Sequence, residues 1–171
     1  GHCIPIDPFY LTWKAREFGQ STKFIELAGE VNTGMPLHVI RCLMDALNSR
    51  RKSLRGSRVL VLGLAYKPNV DDDRESPSYT LMDLLVSKGA QVSYYDPFVP
   101  VIPPTREHSH WEGTKSVRWT QAEISRFDAV LISTAHDAVS YRDLARWADL
   151  IVDTRNAMNR VRCSPKKVWK A

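Results

Sequence analysis

At 171 residues, 43% hydrophobic and 25% charged, the chain is long enough for one ordinary domain with an appendage and has the composition of a globular protein. The net charge of +5 is scattered apart from Arg50-Arg51-Lys52 and Lys166-Lys167, too weak a footprint for a nucleic-acid binder, and no apolar run is of membrane-spanning length. Three cysteines without a C-x-x-C pair, and no signal-peptide pattern, lead to the expectation of a reducing, cytoplasmic setting.

The chain opens on Gly-His-Cys-Ile-Pro-Ile-Asp-Pro without an initiator Met, as expected of a piece of something larger. Residues 1–7 read as a loop shaped by Pro5 and Pro8, and Pro8 starts a helix that ends near Gly19. Cys3, just ahead of that helix, lies in positive partial charge that favours a thiolate. The competing reading is a small buried hydrophobe. Residues 23–53 read as helical, with Ile40, Leu43, Met44 and Leu47 forming one apolar stripe. Pro36 predicts a kink or break, and Gly56 a C-terminal stop. Such an arm lies outside the α/β pattern that follows. It packs on a missing N-terminal part or on a second copy of the chain, or it folds back on that unit.

From Ser57 strands and helices alternate. The spacing predicts strands over 58–64, 91–95, 116–119, 128–134 and 150–153, helices over 77–88 and 141–148, and a short helix opened by the capping box Thr120-Gln-Ala-Glu123. Residues 98–113 form a long polar loop with Pro100, Pro103 and Pro104, and residues 161–171 a basic tail. The expected fold is α/β: a Rossmann-like, mostly parallel sheet with helices on both faces, entered from a long helical arm. The expected division is 1–55 for the arm and 56–171 for the sheet domain.

The first strand and its loop, Val59 to Ser78, organise the rest. Gly63-Leu-Ala-Tyr-Lys67 lacks the G-x-G-x-x-G that lets a backbone close on a pyrophosphate, because Ala65 and Pro68 stand where the later glycines belong. A phosphate here needs side chains, and Lys67 is the point charge available. Loops leaving the same sheet edge carry Tyr66-Lys67 with Arg74, then Asp96, then Arg155; two cations and an aromatic converging there suit a phosphate or nucleotide base. For any one of them alone a surface ion pair is the commoner outcome. His108 and His110, one residue apart in a loop without a nearby carboxylate–histidine set, read as solvated rather than metal-binding.

Five blocks carry a resemblance: Gly1-His-Cys-Ile-Pro-Ile-Asp-Pro8, Asn32-Thr-Gly-Met-Pro36, Gly63-Leu-Ala-Tyr-Lys67, Asp73-Arg-Glu-Ser-Pro77 and Asp153-Thr-Arg155. In order and spacing they resemble the UDP-glucose/GDP-mannose dehydrogenase family, over the end of its helical linker and its C-terminal UDP-sugar-binding domain. The resemblance implies an N-terminal NAD-binding domain that is not in this chain. It implies that Cys3 is the catalytic thiol, that Asp7 is a carboxylate orienting water or the proton network, that Tyr66, Lys67 and Arg155 hold the nucleotide sugar, and that Arg74 reaches NAD. The helix after Asn32 would form a homodimer. The implied reaction oxidises a sugar C6 alcohol to a carboxylate with NAD, through a thiohemiacetal and a thioester on Cys3. Ile4 and Ile6 stand where the UDP-glucose branch has an aromatic and a lysine. With Val99-Pro-Val-Ile-Pro-Pro-Thr-Arg-Glu-His108, they resemble members acting on UDP-N-acetylglucosamine, with UDP-N-acetylmannosamine next and UDP-glucose after it. A nucleotide-binding or dimerisation module without activity is the alternative from another class.

Overall fold

The computed structural model describes residues 6–171. Its centre is a five-stranded parallel sheet in the order β2-β1-β3-β4-β5, built from β1 (Arg58–Leu62), β2 (Gln91–Tyr95), β3 (Ala129–Ile132), β4 (Ile151–Asp153) and β5 (Val168–Lys170). The inner strands β1 and β3 are buried on both faces, which is why their sequences are continuous apolar runs rather than alternations. Successive side chains still divide between two layers. Val59, Val61, Ala129, Leu131 and Val152 meet α2 (Lys23–Asn48) and α3 (Pro77–Ser87). Leu60, Leu62, Val130, Ile132 and Ile151 meet α4 (Gln121–Ile124) and α5 (Tyr141–Trp147). The α/β sheet with helices on both faces is as expected.

The register levels the strand ends. Leu62 pairs with both Tyr95 and Ile132, and Ile132 pairs with Asp153. Gly63, Asp96, Ser133 and Thr154 therefore begin four loops side by side at the carboxyl edge, where parallel sheets place their ligands.

Three expectations are corrected and one is narrowed. At Pro36 the break is absent, because α2 runs continuously from Lys23 to Asn48. Proline removes one bond from the ladder, and the burial of Val39, Ile40, Leu43, Ala46 and Leu47 against the sheet domain holds the rest. Gly56 does not cap this helix, which ends at Asn48. With φ +82 it turns the chain into β1, its N–H bonded to the Gly89 carbonyl at 2.8 Å. Residues 116–119 form no strand; only an isolated bridge joins Val101 and Lys115, and the Ser116 hydroxyl accepts from the Asp96 N–H at 3.1 Å. The basic tail does not trail off: β5 pairs in parallel with β4, and Trp169 packs against the core.

Of the two alternatives for the arm, the fold-back is observed, and only for part of it. The C-terminal half of α2 folds back on the sheet domain. Its N-terminal half carries α1 (Asp7–Glu17) through the Thr22–Thr12 hydroxyl bond at 3.0 Å and the Arg16–Glu26 pair at 2.6 Å. There the apolar side chains face outward: Trp13 is 63% exposed and Phe24 89%. Ile6, Phe9, Tyr10 and Trp13 line an open apolar recess of about 550 Å³.

Candidate functional site

Gly63 leaves β1 at φ +85, and the carbonyl of Thr134 lies against its α-carbon with no room for a side chain. The turn is thus closed by protein. This close approach, and not a gap for a pyrophosphate, is what the glycine serves. The residues after β1 do not fit the pyrophosphate of a dinucleotide. The loop then runs to Ser76, which caps α3: its hydroxyl accepts from the Ser78 N–H at 3.3 Å and donates to the Leu64 carbonyl at 2.6 Å. The Tyr66 N–H reaches the Asp72 carbonyl at 2.8 Å and closes the loop on itself.

Within it, Tyr66 is half-buried. Lys67 is exposed and makes no hydrogen bond or ion pair with another described residue. Arg74 is exposed as well, but Asp72 grips it in a fork at 2.9 Å through both Nε and Nη2. That hydrogen bond and the adjacent charge hold the guanidinium pKa above its ordinary value.

Asp96, on the loop after β2, does not face the edge crevice. Its side chain is wholly buried. One oxygen accepts from the N–H groups of Leu64 at 2.6 Å and Ala65 at 2.9 Å and from His136 Nε2 at 3.0 Å. The other accepts from Phe98 at 2.8 Å and Val99 at 3.1 Å. Burial pushes its carboxyl pKa up, but the bonds from His136, Ala65 and Phe98 outweigh this and hold it below the ordinary 3.8. Asp96 is the knot that ties the loops after β1, β2 and β3 together.

Arg155 lies beyond β4. Its Nε donates to the Ser133 carbonyl at 2.5 Å, and its loop lines an open recess of about 560 Å³ with Asp153, Thr154, Asn156, Lys170 and Ala171. The buried Asp153 shapes that loop by accepting from the N–H groups of Arg155, Ala157 and Met158 at 2.9, 3.2 and 2.8 Å. Lys67 and Arg155 thus leave the same sheet edge, and both loops rest on the segment after β3: Ala65 receives the Thr134 hydroxyl, and Arg155 holds Ser133. Neither Lys67 nor Arg74 lines the Arg155 recess. Asp7 is exposed at the start of α1, which packs on the outer half of α2, and no described bond links it to these loops. Cys3 lies outside the described residues.

The reading of His108 and His110 is also corrected. Asp83 on α3, distant in sequence, takes both: His108 Nδ1 at 2.8 Å and His110 Nε2 at 2.6 Å, with Trp111 Nε1 at 2.7 Å. Burial acts to raise the Asp83 pKa, but bonds from Trp111, His110 and His108 leave it lowered. The cluster straps the long loop to α3. Residues that the sequence reading passed over include His136, Asn69 and Lys170. The available signal was positional: His136 follows the end of a buried strand by four residues, at the ligand-bearing edge.

A parallel α/β sheet whose carboxyl-edge loops carry cations belongs to the class of nucleotide-binding folds. Residues 60–160 match the UDP binding domain of the UDP-glucose/GDP-mannose dehydrogenase family, and the chain belongs to that family. It is 34% identical over 139 residues to the UDP-N-acetyl-D-mannosamine dehydrogenase of Methanococcus maripaludis, covering 81% of this chain and 28% of that protein. It is 32% identical over 137 residues to the UDP-N-acetyl-D-glucosamine 6-dehydrogenase of Pseudomonas aeruginosa, covering 80% of this chain and 31% of that protein. The chain therefore spans under a third of these relatives' length. The solved UDP-D-ManNAc dehydrogenase of Pyrococcus horikoshii shares the fold, with a TM-score of 0.80 at 24% identity over 99% of this chain and 38% of that one. No helix among the described residues is long and apolar enough to cross a membrane.

Proposed function

We propose that this chain supplies the UDP-sugar-binding part of an NAD-dependent UDP-sugar 6-dehydrogenase. The substrate is a UDP-N-acetylhexosamine oxidised at C6, with UDP-N-acetylglucosamine ahead of UDP-N-acetylmannosamine and UDP-glucose; relatives named for the first two support the N-acetylhexosamine class. Residues 56–171 are the UDP-sugar-binding domain, and residues 1–55 are the end of the catalytic loop and a linker.

One observation carries the reading: Lys67, inside the matched region, is a cation with no hydrogen-bond or ion-pair partner among the described residues, at the carboxyl end of β1. An ammonium in that position attracts the diphosphate, Tyr66 borders it, and Arg155 offers a planar donor on the same sheet edge. Cys3 is the nucleophile toward an aldehyde carbon, with Asp7 orienting water beside it. Arg74 reaches toward NAD. The pyrophosphate of NAD has no cradle after β1, so this chain alone binds nucleotide without turnover.

Calorimetric titration of the chain with UDP tests the site. Saturable binding is expected, weakened about tenfold in Lys67→Ala and in Arg155→Ala, as for loss of one charge-assisted hydrogen bond. The loss should shrink as salt is raised. An affinity indifferent to both substitutions sinks the assignment.

The outward apolar face of α1 and the first half of α2 supports a homodimer formed through this arm. Sedimentation velocity should give a dimer for the wild type and a monomer for Val31→Glu, which places a charge on that face. A monomeric wild type removes this part of the proposal.

A further inference from the structure

The carboxyl edge holds a buried imidazole, His136, whose bond to Asp96 uses only one of its two nitrogens. The His136 side chain is fully buried, and its two nitrogens are committed to different partners. Nε2 meets Asp96 at 3.0 Å, and Nδ1 meets the backbone N–H of Asn69 at 3.0 Å. A backbone amide can only donate, so Nδ1 is the acceptor and the proton of that tautomer sits on Nε2, pointing at the carboxylate. Phe98 covers the ring with centroids 5.1 Å apart.

Asn69 is two residues beyond Lys67 and takes φ +64, a conformation that a non-glycine residue keeps only when its surroundings impose it. They do so from two sides. The ring holds its main chain. Its exposed side chain exchanges a reciprocal pair with Asp137, Nδ2 to Oδ2 at 2.7 Å and Asp137 N–H to Oδ1 at 2.9 Å. The turn from Tyr66 to Asn69 is thereby pinned to the loop after β3, and through His136 and Asp96 to the loop after β2 as well.

We propose that His136 is a positioning residue for nucleotide binding: by accepting the Asn69 N–H on Nδ1 it holds the Tyr66–Asn69 turn in the shape that presents Lys67 to a diphosphate. The proposal rests on the reading of Lys67 given above. A pre-shaped turn avoids the ordering cost that a loose one incurs on binding.

Two near-isosteres separate the two ring bonds. His136→Asn keeps an acceptor at the Nδ1 position and gives up the link to Asp96. His136→Gln keeps a donor at the Nε2 position and gives up the link to Asn69. The measurement is calorimetric UDP affinity of the chain, with each variant held where circular dichroism shows it folded. The Gln variant is expected to bind UDP about tenfold more weakly, the effect of one lost hydrogen bond, and the Asn variant to stay within about threefold of wild type. Hydrogen exchange at the Asn69 amide should be slow in the wild type and the Asn variant and fast in the Gln variant.

A merely structural ring would lower the urea midpoint of both variants and leave the affinity of the folded fraction alone. Equal affinities in all three proteins, or equal losses in both variants, overturn the proposal while leaving the nucleotide site standing. A wild type that binds no UDP overturns the functional reading itself, and this proposal with it. If the Gln variant does not fold, the wild type is read instead: hydrogen exchange at the Asn69 amide that is fast in the UDP-free chain overturns the proposal, and slow exchange there supports a turn shaped by His136 before UDP binds.

Discussion

Asp96→Ala is expected to destabilise the protein by roughly 3–5 kcal/mol, the range for removing one partner from a buried, hydrogen-bonded pair. The substitution strands the N–H groups of Leu64, Ala65, Phe98 and Val99 and the Nε2 proton of His136 in a region that water does not reach. Urea denaturation should show a lower midpoint with an unchanged slope. A midpoint within error of wild type would mean that these donors find other acceptors.

The same carboxylate sets a pH limit. Burial opposes its ionisation, but the hydrogen bonds prevail, and its pKa in the folded state lies below the 3.8 of the unfolded chain. The unfolded state therefore binds the proton first on acidification. The stabilisation from ionised Asp96 is complete above the unfolded value, and it is lost as pH falls below 3.8 through the folded value. In Asp96→Asn this contribution is absent. Urea midpoints measured from about pH 5 down to about pH 2 should fall less steeply for the variant than for wild type. Parallel curves would show that Asp96 does not contribute to the acid limb.

Gly63→Ala is expected to cost about 2–5 kcal/mol, the sum of two independent penalties. A left-handed backbone costs an alanine about 1–2 kcal/mol. Overpacking at a rigid neighbour costs about 1–3 kcal/mol. The added Cβ would lie 2.7 Å from Thr134 Cβ and overlap the Thr134 carbonyl, which is backbone and cannot rotate away. Relief requires the segment after β3 to move, and that segment carries both the Ser133 carbonyl that receives Arg155 and the Thr134 hydroxyl that bonds Ala65. The variant should therefore lose UDP affinity as well as stability. Thermal unfolding and the UDP titration check the two effects separately. A stable Gly63→Ala with normal affinity would show that β1 and β3 need not approach so closely.

Much of the architecture was legible locally. The buried runs at β1 and β3, the Ser76-Pro77 start of α3 and the Thr120 cap of α4 each appear as predicted, because propensity, capping chemistry and apolar period act over a few residues. Lys67, Arg74 and Arg155 were placed correctly on carboxyl-edge loops for the same reason, since a strand's direction fixes which end its loop leaves. Where local pattern alone was followed, it misled. Pro36 is a helix breaker in isolation, yet burial of the following turns holds α2 together. Val168 to Lys170 is too short to declare itself a strand, and it becomes one because β4 offers an unpaired edge.

The sequence by itself determined an α/β sheet, its helical arm and a set of cations at the ligand-bearing edge, since each depends on neighbours along the chain. Only the tertiary structure decided what the acidic and imidazole groups at that edge do. Asp96 showed in the sequence only as a carboxylate on an edge loop and is an internal acceptor for three loops. His136 carried no signal beyond its position and is the ring that links two of them. The physical reason is that the fate of a polar side chain depends on which backbone N–H groups neighbouring strands leave unpaired, and strands distant in sequence set that inventory.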